Sequence, residues 1–221
     1  KVALLGTRGI PALHGGFETA VQYIGPGLAR RGMDVTVYCR NPGQKLQEFE
    51  GTRLVNLPAL RLKTAETLSH TALSAAHALF RDYDVAIVFN SGNAPFLSPL
   101  RLRGLPVAVH IDGLEAQRAK WEGFGARYYA WAERSSVKHA DAIIADARAI
   151  ADYVRERYGR ESVYLPYGAP LVDPPTPRLA ELVLEAQQYH LSVARFEPEN
   201  HVVEIVRGYR RSRAALPLVV V

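Results

Sequence analysis

Short, uninterrupted apolar runs alternate with stretches of helical periodicity along almost all of this 221-residue chain, and that alternation constrains the fold more than any other feature. Val2–Leu5, Val35–Tyr38, Val85–Phe89, Pro106–Ile111, Ala142–Ala145 and Val163–Tyr167 read as strands, with a weaker one at Leu54–Leu57. Strands apolar at every position must be covered on both faces. Between the first two, Phe17, Val21, Ile24 and Leu28 recur at steps of four, three and four, which is one face of a helix. Gly25-Pro26-Gly27 interrupts that face and predicts a kink or a break, because proline inside a helix costs roughly 3 kcal/mol. Thr67–Phe80, Phe124–His139 and Ala147–Tyr158, the last stopped by Gly159, read as further helices. The expected class is α/β, a Rossmann-like parallel sheet with helices on both faces.

The texture changes at residues 168–178, where four prolines mark a semi-rigid linker. Tyr189–Ala194 then restarts a strand, Val202–Arg211 a helix and Leu218–Val221 another strand. This predicts one domain over 1–168, a linker over 169–188 and the beginning of a second Rossmann-like domain over 189–221. Because the chain starts beside one strand and stops inside another, it is expected to be part of a longer protein, and inactive by itself.

Composition excludes more than it selects. A single cysteine, Cys39, rules out an internal disulfide framework and fits a reducing cytoplasm. Nothing approaches the roughly 18 apolar residues of a membrane helix. The net charge of +5 favours anionic partners, phosphates or an anionic membrane face among them. Zinc-finger spacing, RNA-binding aromatics and long lysine runs are absent from the sequence, so nucleic acid is not an expected partner.

Three strand-to-helix loops carry the candidate chemistry. In residues 6–19, Gly15-Gly16 at the start of a helix reads either as a tight turn or as a place where backbone N–H groups approach a phosphate or sugar. The loop is neither a Walker loop nor a GxGxxG fingerprint. His110, Asp112, Glu115, Arg118, Lys120 and Trp121 crowd the end of an apolar strand, where open α/β sheets place their ligand crevices. No paired His or Cys accompanies them, so no tightly held metal is expected. Arg195 ends a strand in VARFEPENH, where its guanidinium either grips a diphosphate or pairs with Glu197 or Glu199. Asn90-Ser91-Gly92-Asn93-Ala94-Pro95 also follows a strand and reads as an ordinary turn or a crevice wall.

Taken in order, GTRGIPALHGGFET with VTVYCR, HIDGLEAQRAKW and VARFEPENH resemble the rhamnosyltransferase-like members of glycosyltransferase family 4. The second string is similar to that group's DGLEWKRxKW and the third to the wider family's GRLxPEx. The resemblance implies the GT-B architecture, with the acceptor on the first domain and a nucleotide diphosphate sugar mainly on the second. It further implies transfer of a sugar, with rhamnose the candidate, to a glycan or lipid-linked acceptor, with retained configuration and no obligatory metal or other cofactor. By resemblance Gly15 and Gly16 approach the donor diphosphate, Arg195 contacts it, and His110 lies near the transferred sugar. Asp112, Glu115, Arg118 and Lys120 fall where acceptor contacts are expected. Two departures stand out. Asn200 replaces the family's lysine, so that either another cation stabilises the leaving diphosphate or Asn200 serves as a hydrogen-bond donor to it, and Ala116-Gln117 replaces Trp-Lys. A sugar-nucleotide epimerase of the same architecture, or a non-catalytic carbohydrate- or phosphate-binding module, are the competing expectations.

Overall fold

The computed structural model describes residues 1–13, 15–40, 46–60, 62, 65–113, 123–169 and 177–221. They form two compact units that part between Tyr167 and Gly168. In the first, β1 (Val2–Leu5), β2 (Val35–Cys39), β3 (Glu48–Phe49), β4 (Thr52–Asn56), β5 (Val85–Phe89), β6 (Val107–Ile111), β7 (Ala142–Ala145) and β8 (Val163–Tyr164) make one sheet. Its order is β3-β4-β2-β1-β5-β6-β7-β8, and only the short edge pair β3–β4 is antiparallel. The α/β expectation therefore holds. Helices α1 (Gly16–Ala29), α2 (Glu66–Ala78), α3 (Leu97–Leu102), α4 (Phe124–His139) and α5 (Arg148–Tyr158) connect and cover it.

Side chains alternate between the faces of a strand, so an all-apolar strand feeds two cores at once. Along β1, Val2 and Leu4 join a core with Val21 of α1, Val35, Val37 and Phe89. Ala3 and Leu5 join the other, with Ala75 and Ala78 of α2, Leu97 and Leu100 of α3, Val137 of α4 and Val154 of α5. The chain lays down β1, β2 and β4 to one side and then returns to place β5 on the other side of β1. The strand order thus reverses between β1 and β5, and the carboxyl ends of the strands at such a switch point are where open α/β sheets bind their ligands.

Local structure adds detail to the sequence reading, and corrects it at Pro26 and after Tyr164, where the strand expected to reach Tyr167 ends. Helix α1 runs unbroken through Pro26. Pro26 is buried in its last turn, and a Cβ on Gly25 would lie 3.2 Å from the Thr52 side chain, so close packing on β4 offsets the lost hydrogen bond. The segment after β5 is a 3-10 helix, Ser91–Phe96, running into α3. The stretch read as linker contains α6 (Pro177–Glu181), where proline in the first position pre-sets a helical φ.

In the second unit β9 (His190–Ser192) and β10 (Leu218–Val220) pair in parallel, connected through α7 (Val202–Arg211). The Tyr209 hydroxyl donates to the Leu216 carbonyl at 2.8 Å and ties α7 to the strand after it. Among the described residues no helix is long and apolar enough to cross a membrane.

Candidate functional site

His110 is the last residue but one of β6 and pairs in register with Phe89 of β5, so both side chains leave the sheet on the same face. Their rings stack with centroids 5.2 Å apart and planes 23° apart. From the other side of β6, Tyr167 stacks on the imidazole at 5.5 Å with the planes only 4° apart. Phe17, in the first turn of α1, meets it edge-on at 5.6 Å. His110 is only 3% exposed, and its Nδ1 has no hydrogen-bond partner among the described residues. Burial pulls its pKa from 6.5 to about 4, which leaves a neutral imidazole with one donor and one acceptor nitrogen.

Carboxylates gather around this ring stack. Asp112 follows β6 and Asp146 follows β7, and because Ile111 pairs with Ala145 the two aspartates occupy adjacent strand ends. Asp146 has one buried carboxylate oxygen without a partner among the described residues, and burial raises its pKa. The Tyr167 phenol is held well above its ordinary range, by burial first and then by Asp112, Asp146 and Glu18. A site whose tyrosine senses three carboxylates suits a ligand rich in hydroxyl groups, because carboxylates accept hydrogen bonds from hydroxyls.

The glycine loop is fastened to α1. Glu18 accepts the Arg8 N–H at 2.8 Å, and Gln22 accepts the Ala12 N–H at 2.6 Å. Gly15 has φ +102, and a Cβ there would collide with the Glu18 carboxylate. Gly16 is exposed and has open space where a Cβ would stand. Gly6, at the end of β1 with φ +93, lets Asn93 lie against the strand, where its side-chain amide donates to the Phe89 carbonyl at 2.8 Å. On the 3-10 segment that follows β5, the Gly92 carbonyl accepts from the Tyr128 hydroxyl at 2.6 Å and the Ser91 carbonyl from Ser136 at 2.9 Å, which seats α4 on the turn.

The structure thus brings together His110, Asp112 and the start of α1 at one sheet edge. Glu115, Arg118, Lys120 and Trp121 lie outside the described residues. Arg195 belongs to the second unit and is exposed. Its carbonyl accepts both the Glu197 N–H at 2.7 Å and the Asn200 side-chain amide at 2.8 Å. Asn200 therefore spends one of its N–H groups on holding the Arg195 turn. Sequence reasoning missed Phe17, Asp146 and Tyr167. The rule that residues just past parallel strands line the crevice could have found the last two.

Other hollows lie away from this site. Open depressions of about 630 and 720 Å³ sit at the amino-terminal edge of the sheet, lined by Arg101, His139 and Asp141 and by Phe80, Leu102 and Arg103 respectively. In the first, Arg101 and Asp141 already satisfy one another at 2.7 Å.

Comparison with known proteins adds a family and a fold. The profile of the glycosyl transferase 4-like domain matches residues 15–168. No curated protein sequence matches the chain. HepE (Alr3699) of Anabaena, solved in complex with UDP and glucose, is similar over 100% of this chain and 60% of its own, at 14% identity and a TM-score of 0.72. Os79 from O. sativa, solved with UDP and deoxynivalenol-3-glucoside, gives 13% identity and a TM-score of 0.59 over 100% of this chain and 66% of its own. A UGT transferase from Siraitia grosvenorii in complex with UDP gives 13% and 0.57, over 100% and 64%. At these identities the likeness is one of fold, and this chain spans about three fifths of the length of HepE.

Proposed function

The chain belongs to the glycosyl transferase 4-like family, and from that premise we propose that the protein transfers a sugar from a nucleotide diphosphate sugar to a hydroxyl of a glycan or lipid-linked acceptor. The observation that carries this reading is His110, buried, neutral and lacking a partner for Nδ1, beside carboxylates at the switch point of a parallel sheet. UDP accompanies the related folds of HepE, Os79 and the Siraitia transferase, which favours a nucleotide sugar as donor.

In this account Asp112, Asp146 and Glu115 accept hydrogen bonds from acceptor hydroxyls, and Arg118 and Lys120 donate to acceptor oxygens. His110 binds a hydroxyl through its unpaired nitrogen. The amides at Gly15-Gly16 and the Arg195 guanidinium stabilise charge growing on the diphosphate, and Asn200 holds the Arg195 turn. The bond from the anomeric carbon to the diphosphate oxygen breaks as the bond to the acceptor oxygen forms. The acceptor proton passes to the departing phosphate, and configuration is retained. Rhamnose as the sugar and an anionic cytoplasmic membrane face as the workplace extend the same reading. Both rest on the sequence strings and on the net charge of +5.

Arg195→Ala in the whole protein tests the donor side. The expected result is a fall in kcat/KM for the nucleotide sugar of about a hundredfold, the size seen when one preorganised donor to a developing negative charge is lost. An unchanged rate removes Arg195 from the mechanism. Conversion of the nucleotide sugar without acceptor would instead identify an epimerase.

A further inference from the structure

We propose that Tyr167 is a positioning residue for His110: its ring, stacked on the imidazole, fixes the plane of the histidine and shuts water away from it. The two planes differ by 4°, against 23° for Phe89, although Phe89 is anchored in the neighbouring strand and Tyr167 lies beyond the end of β8. Tyr167 is 40% exposed, while the histidine beneath it is 3% exposed, so the tyrosine is a cover rather than a core residue. An aromatic ring at this distance adds a stacking preference to the burial it supplies.

The cover has an electrostatic consequence. Glu18 from α1, Asp112 at the end of β6 and Asp146 after β7 are the carboxylates that act on the Tyr167 phenol, while β5 faces the imidazole with Phe89, which cannot titrate. Without the ring, water would solvate an imidazolium, and those three carboxylates would stabilise it. Both effects act in the same direction and raise the pKa of His110. A charged histidine would lose its acceptor nitrogen, the atom that a sugar hydroxyl needs. The role of His110 in sugar transfer rests on the function proposed above, but the hold of Tyr167 on the ring does not.

The test is an NMR titration of the His110 ring protons in the whole protein, assigned with His110→Gln, for the wild type and for Tyr167→Phe, Tyr167→Leu and Tyr167→Met. Wild type and Tyr167→Phe should titrate together near 4. The two aliphatic variants should titrate at least about one unit higher, toward the ordinary 6.5. In turnover, the aliphatic variants should lose kcat about tenfold with little change in donor KM, and Tyr167→Phe should restore it. Unchanged titration in a folded aliphatic variant overturns the proposal, as does a Phe variant that behaves like Leu. A shifted titration in a protein that transfers no sugar would leave Tyr167 in its role and remove the transferase reading instead.

Discussion

His110 offers hydrogen bonding rather than charge. Its burial between Phe89 and Tyr167 holds the pKa near 4, so protonation begins far below the pH at which a solvated histidine titrates. The pH dependence of kcat/KM should therefore show no histidine ionisation around pH 6.5, and should fall only as the pH approaches about 4. A limb with a midpoint at the ordinary histidine value would mean that the imidazole is solvated during turnover. Gly6 makes a different demand on the same crevice. Its φ of +93 suits few side chains, and a Cβ there would run into the Phe89 carbonyl. Gly6→Ala should destabilise the protein by about 2–3 kcal/mol, read from the urea midpoint, because strain and overlap add.

Helices α4 and α5 are clasped by one buried acid. Glu133, 3% exposed, accepts the Tyr153 hydroxyl at 2.8 Å and the Tyr158 hydroxyl at 2.5 Å through a single oxygen. Glu133→Ala should cost about 2 kcal/mol of stability, since two half-buried phenols lose their acceptor, and Tyr153→Phe alone should cost about 1 kcal/mol. Equal costs would show that the clasp does not work as a unit. The elements themselves were largely legible. The apolar runs of β1, β5 and β7 and the helices α4 and α7 stand where the sequence places them, because strands apolar at every position have few other folds open to them. Pro26 misled because propensity is local, while the burial of Pro26 and the contact of Gly25 with Thr52 are tertiary. At the site, the density of functional groups marks the string after β6 in the sequence, and of its members His110 and Asp112 fall within the described residues. Asp146 and Tyr167 carry no such density, since each stands alone in sequence and joins His110 through strand order, and only their place past a parallel strand marks them. Edge strand β3 is two residues long, too short to carry a period.

At the scale of the whole molecule, two buried histidines couple folding to acid. His70 of α2, 1% exposed, is also held near 4 by burial, opposed only in part by its hydrogen bond to the Cys39 backbone. Both pKa values lie below that of an unfolded histidine, so the unfolded chain binds more protons between the two values. Stability should thus be fully present above about pH 6.5 and decline as pH falls toward 4, by on the order of 3 kcal/mol for each histidine. His70→Gln should flatten that decline, measured as denaturant midpoint against pH. The central claim concerns chemistry, and the most direct measurement is release of nucleoside diphosphate from a nucleotide sugar by the whole protein, with and without a hydroxyl-bearing acceptor. The account predicts release that depends on the acceptor and matches, mole for mole, the glycoside formed. Release that ignores the acceptor, or a nucleotide sugar returned as its epimer, would contradict it.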